Sequence, residues 1–259
     1  MRSIPAGMRF PAAALSLVGA LMLAGCMGGD DEAMTTTVRE TVTETGTTPS
    51  ETTLKVYLLD GSKVAPVSRR VTAAPAVGRA ALEALLLGPE DEELATAISP
   101  ETEFERLSVT DGVASVESTT DLSRLGQAQV VYTLTQFPTV RRVAINGARP
   151  LGRRAFENQT PAILVESPLP GEEVEPGFEV TGTANTFEAT FNYELLDESG
   201  KVLSKDFVTA TSGSGTRGTF RFTVDYEIPS AQNGRLVVFE ISAADGSRTH
   251  ESSIPLALR

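Results

Sequence analysis

Four patterns of hydrophobic and polar positions succeed one another along the chain. Phe10 through Leu23 is an apolar run broken only by Ser16 and small residues, preceded by Arg2 and Arg9. Residues 27–53 then hold almost no large apolar side chain, and ten of the residues from Thr35 to Thr53 are threonine. From Leu54 to about residue 150, apolar residues recur with β-like and helical spacing in turn. From Ile163 onward the helical period disappears, and short alternating runs continue to Leu258.

The third stretch predicts seven elements. Leu54–Asp60 is a β-prone run stopped by Asp60-Gly61, and Val64–Val71 is its partner. Pro75 opens a helix to Leu87, with Val77, Ala81, Ala84 and Leu85 on one face. Gly88-Pro89 stops it. Phe104–Thr110 and Val113–Glu117 flank the Asp111-Gly112 turn. A second helix starts near Asp121, a candidate cap, and ends at Phe137 before Pro138. Val140–Ile145 is the last strand. The order β-β-α-β-β-α-β predicts an α+β domain over 54–150, two helices on one face of a mostly antiparallel sheet.

A Pro/Gly-rich join around Pro150-Leu151-Gly152 follows. Seven strands are then expected: 163–166, 178–183, 189–196, 202–211, 219–226, 236–243 and 251–258. Turn dipeptides such as Ser199-Gly200, Asn233-Gly234 and Asp245-Gly246 separate them. This predicts an all-β, immunoglobulin-like sandwich over 162–259, held by apolar packing because the chain has no tryptophan and one cysteine. Each domain is expected to fold alone.

The apolar run near the start is about fourteen residues, short of the roughly 20 that a spanning helix needs. It ends in Leu23-Ala24-Gly25-Cys26. The segment resembles the signal peptide and lipobox of bacterial lipoproteins. That resemblance implies cleavage after residue 25, lipid on Cys26 as diacylglycerol on sulfur, and attachment to the outer face of the cell membrane. A lone cysteine in an exported chain leaves no disulfide framework to expect. The threonine-rich segment 26–53 cannot bury enough apolar surface to offset its ordering entropy, so it reads as a disordered tether.

Charge narrows the partners. Arg2 and Arg9 are the only charged residues before Cys26, so without them 20 cations face 34 acids, a net of −14. That argues against nucleic acid, whose binding draws on a basic patch.

Val56-Tyr57-Leu58-Leu59-Asp60-Gly61, Ala80–Pro89, Leu107–Val109 with Asp111–Ala114, and above all Gln129–Pro138 resemble the sporulation and spore germination (GerMN) domain. Ser167–Gly171, Gly182–Ala189, Arg217–Phe220, Val237–Glu240 and Asp245–Ser247 are similar to the immunoglobulin-like domain of bacterial spore germination. The resemblance implies a two-domain lipoprotein of Gram-positive bacteria. Its first domain would be akin to ring-building modules of spore envelope complexes, and neither domain brings a catalytic residue.

Candidate chemistry is sparse. His250 is the only histidine, and no Gly-x-Ser-x-Gly elbow accompanies it, so a surface strand residue is the expectation. One histidine and a lipidated cysteine make zinc improbable. Glu172, Glu173 and Glu175 could be paired carboxylates but fall in an expected loop. Asp30-Asp31-Glu32 and Glu90-Asp91-Glu92-Glu93 lack the ligand spacing and glycine of a calcium loop, and the second reads as helix-start charge. Gly213-Ser214-Gly215-Thr216 lacks a phosphate-loop lysine and reads as a flexible hairpin. Asn158-Gln159-Thr160 matches a glycosylation sequon by chance. The expectation is a non-enzymatic envelope module without cofactor or metal. It would bind the membrane through Cys26 and a protein or cell-wall partner through its domains. The alternative is a receptor-like module with a small ligand in the groove between domains.

Overall fold

The computed structural model describes residues 51–73 and 76–259. Cys26, the signal segment, nearly all of the tether and Pro75 lie outside them. Among the described residues no helix is long and apolar enough to cross a membrane.

The first domain opens with an antiparallel ribbon, β1 (Glu51–Asp60) and β2 (Lys63–Thr72), joined at Gly61 with φ +56°. Strand β1 thus begins three residues inside the segment read as tether. Helix α1 spans Val77–Leu86 and buries Ala81, Leu82, Ala84 and Leu85. Then come β3 (Phe104–Thr110), β4 (Val113–Ser118), α2 (Arg124–Leu134) and β5 (Arg142–Ile145). All seven expected elements are present in order. They do not share one sheet, however: β1–β2 stands apart from a second sheet ordered β3-β4-β5, in which β4 and β5 run parallel.

The reason for the split lies on α2. Its residues 129 and 133, with Gln136 in the turn just after it, bond the edge of β1 that a neighbouring strand would have used. Thr133 Oγ1 accepts from Tyr57 N–H at 3.1 Å, and Gln129 Nε2 donates to Tyr57 C=O at 3.1 Å. Gln136 Oε1 accepts from Lys55 N–H at 3.2 Å, while its Nε2 donates to Lys55 C=O at 2.5 Å. Further along, Leu59 and Ala95 exchange both backbone bonds. A stripe of polar side chains one to two turns apart therefore covers a sheet edge. Gln129 and Thr133 are fully buried, which is tolerable only because they are bonded.

Two other local expectations give way. Ser123, not Asp121, caps α2, its hydroxyl accepting from Gly126 N–H. Glu90–Glu93 starts no helix: it forms a turn in which Asp91 Oδ1 accepts from Glu93 N–H.

The join is built into the structure as a 3₁₀ segment, Arg153–Gln159, whose Phe156 is fully buried in the first core. The second domain is two facing sheets. One is ordered β11-β8-β6 and the other β10-β9-β12-β13-β7. The strands are β6 (Ile163–Ser167), β7 (Glu173–Val174), β8 (Phe178–Ala184), β9 (Thr190–Asp197), β10 (Val202–Thr209), β11 (Gly218–Val224), β12 (Gln232–Ile241) and β13 (Arg248–Leu258). All seven expected strands are present. The eighth, β7, is two residues long and pairs parallel with the end of β13. Phe191, Phe220 and Phe222 meet edge-on or tilted between the sheets, and Tyr193 stacks on Phe222 at 4.7 Å.

Candidate functional site

A groove of about 980 Å³ lies between the two domains. One wall is β2 and the 90–94 turn. The other is β6, the Pro168–Pro170 segment and residues 250–255 of β13. Its lining is mixed: Val64, Val67, Leu94, Ile163, Val165, Ile254 and five prolines, Pro66, Pro161, Pro168, Pro170 and Pro255, alternate with polar and charged side chains.

Two polar clusters fix the walls relative to each other. At the first, Arg153 sits over the rings of Tyr57 and Tyr132, 5.4 and 4.7 Å from their centroids. Its Nη1 donates to Glu166 Oε1 at 2.7 Å and its Nε to Thr135 Oγ1 at 2.7 Å. The Tyr57 hydroxyl also donates to Glu166, and Lys55 Nζ donates to the Glu166 carbonyl at 2.6 Å. Lys55, Tyr57 and Arg153 belong to the first domain or the join, and Glu166 to β6 of the second. Burial alone would raise the Glu166 carboxyl. Arg153, Tyr57 and Lys55 outweigh it and hold that carboxyl below the usual range. Burial and the adjacent Glu166 push the Tyr57 hydroxyl well up, and burial lowers Lys55.

At the second cluster, Arg217 of the sandwich grips Glu157 of the join. Its Nη2 lies 2.9 Å from Oε1, and its Nε lies 3.1 Å from each carboxylate oxygen. Its remaining donors reach Pro161, Ala162 and Thr183. Asn185 Nδ2 also donates to Glu157. Arg217 and Asn185 both fall in the stretches that resemble the spore germination family, and neither was singled out individually from the sequence.

The other candidates are scattered. His250 lies on the groove rim, 57% exposed at the side chain, with Nδ1 2.9 Å from Glu240 Oε2. Glu240 also accepts from Phe187 N–H, and among the described residues no serine hydroxyl bonds the histidine. Glu172 accepts from Leu169 N–H, and Glu173 pairs with Arg259, so no two of the three glutamates are held together over a shared space. Among the described residues no cluster of histidine, cysteine, aspartate and glutamate suits a metal. The Gly213–Thr216 loop is tied down rather than free: Ser214 and Gly215 bond Thr186 and Asn185. A Cβ on Gly213 would lie 2.5 Å from the backbone of Ala189, so only glycine fits there. Asn158 is exposed at the groove rim.

Residues 55–148 match the family model described as sporulation and spore germination. Residues 162–247 match the immunoglobulin-like domain of bacterial spore germination. Both matches fall on the domains that the sequence resemblance had singled out. No curated protein matches the chain. Among solved structures, one match is a Clostridium perfringens protein described as a lipoprotein, with 18% identity and a TM-score of 0.29; it covers 42% of this chain and 93% of that one. Another is CopC from Methylosinus trichosporium OB3b, with 15% identity, 37% and 92% coverage and a TM-score of 0.23. Likeness at that level carries no argument about this chain.

Proposed function

We propose that this chain is a non-enzymatic binding or scaffolding module of the cell envelope. A lipid on Cys26 tethers it to the outer face of the membrane, and it works in the biology of sporulation or germination. The observation that carries the reading is the pairing of two spore germination domains in one chain, clamped together by the Arg153–Glu166 and Arg217–Glu157 clusters. Two groups of charged and polar side chains spent on fixing one domain against the other suit a part that presents a defined surface. The lipobox-like Leu23–Cys26 segment supports the anchor.

The test is a chromosomal Cys26→Ala variant followed by fractionation and cross-linking on the cell surface. The variant should leave the membrane fraction and lose its envelope partner. If it stays membrane-bound after a salt wash, the anchor is wrong. If wild type captures no envelope partner, the binding role is wrong.

The groove itself favours a second reading. Its volume lies within the range of about 300–1,000 Å³ common for small-molecule sites, so a receptor-like role is the alternative.

A further inference from the structure

We infer that the interdomain groove takes a short, extended peptide bearing lysine or arginine; this rests on the binding-module reading above. Three observations carry it: backbone, charge and proline.

The first concerns the free edge of β2. Lys55, Tyr57 and Leu59 turn their backbone groups away from β2, toward α2 and Ala95. Their cross-strand partners are Ser68, Pro66 and Val64. In an antiparallel ladder such pairs are the non-hydrogen-bonded ones, and both members point outward. Val64 is buried, so the groups left open to the groove are the C=O of Pro66 and the N–H of Ser68, both residues of its lining. An extended backbone meets such a pair as an added strand.

Proline limits the length of what can be added. Pro66 has no N–H to give, and Pro255 lies on the opposite wall with its C=O already bonded by Gly171 N–H. An edge interrupted in this way resists pairing with a whole second strand, while a short segment can still bond the Pro66 C=O and the Ser68 N–H.

Charge selects the side chains. The groove is lined by Asp60, Glu90, Asp91, Glu93, Glu157 and Glu251 against Lys63, Arg69 and Arg217. All three cations are engaged: Arg217 with Glu157, Arg69 with Gly88 C=O and Glu90, and Lys63 with Asn158 C=O. Among the described residues no cation lies within ion-pair distance of Asp60, Asp91 or Glu93. The Leu59–Ala95 bridge brings the 91–95 turn beside the end of β1 that carries Asp60. Aliphatic stems of lysine or arginine would lie on the prolines with their heads at this rim.

The test uses the full mature chain and fluorescence anisotropy. The probes are a labelled peptide alternating lysine and valine and the matching glutamate–valine and serine–valine peptides. The lysine peptide should bind, and the glutamate peptide should not. A combined Asp60→Asn, Asp91→Asn, Glu93→Gln variant should weaken binding about tenfold, the sum of three exposed pairs of ordinary strength. Ser253→Trp, at an exposed position on the opposite wall, should abolish it by filling the groove. Thermal melts matching wild type keep both variants interpretable. Equal binding of all three peptides, no binding of the lysine peptide, or full binding by Ser253→Trp would each overturn the proposal. If surface cross-linking still captures an envelope partner in any of those cases, only the groove assignment falls and the wider role stands.

Discussion

Replacing Thr133 by valine isolates one bond at nearly constant shape. The hydroxyl is fully buried and accepts the Tyr57 N–H at 3.1 Å. Valine keeps the volume and removes the acceptor, so the amide is left buried without a partner, at a cost of about 1–3 kcal/mol. The added methyl recovers part of that through apolar contact, which sets the expectation near 1–2 kcal/mol. With a urea m-value of about 2 kcal/mol/M, the midpoint should fall by about 0.5–1 M at unchanged slope. Gln129→Leu should cost more, because it strips partners from both Tyr57 C=O and Ala97 N–H. Thr110→Val, at an exposed strand end, should stay within about 0.5 kcal/mol of wild type. Equilibrium urea unfolding followed by circular dichroism reads all three. If Thr133→Val matches Thr110→Val, the helix stripe does not stand in for the missing strand, and the account of why the sheet splits is wrong.

Arg153→Met should destabilise the protein by about 3 kcal/mol, since it leaves Glu166 half-buried without its guanidinium; an unchanged melting temperature would contradict that. Glu166 has a folded pKa below its unfolded value of about 4.3, so its contribution is complete above that pH and is lost as pH falls through the lower folded value. Glu166→Gln should therefore flatten the acid limb of the stability profile below about pH 4.3; a limb parallel to wild type would refute the assignment. Expressed alone, residues 54–150 should be unstable because they lack Phe156, whose burial is worth about 3–5 kcal/mol, and 51–161 should be markedly better. Cooperative urea unfolding of 54–150 with the stability of 51–161 would refute this.

The elements were legible in the sequence wherever period and turn chemistry agreed. The Asp60-Gly61 and Asp111-Gly112 hairpins and the seven longer strands of the second half stand within a few residues of where alternation put them. Sheet membership was not legible. Nothing in local periodicity says that Gln129, Thr133 and Gln136 bond β1, because the same residues fit a helix with a mixed face. The two-residue β7 is too short to show any period. Glu90–Glu93 looked like helix-start charge because acids favour that position, yet no helix follows. The groove was invisible for another reason. Its walls bring residues 63–69 and 90–94 against residues 161–170 and 250–255, and the residues that clamp it, Arg153, Glu157, Glu166 and Arg217, carry no local motif.

The apolar run Ile163-Leu164-Val165 holds more than its length suggests. A strand buried on one face alternates apolar with polar, and an unbroken run implies burial on both. Ile163 and Val165 enter the sandwich core, while Leu164, pointing the other way, packs into the first domain's core. Strand β6 thus serves two cores, and the next residue, Glu166, is the one that Arg153 and Tyr57 hold. The interdomain packing of Leu164 and the ion pair of Glu166 fall two positions apart on one strand, so separating the domains would expose a leucine and break the Arg153–Glu166 pair together. The two losses reinforce each other, which favours a single orientation over a flexible hinge. A groove whose two walls keep one spacing needs little ordering when a ligand arrives, which lowers the cost of binding there.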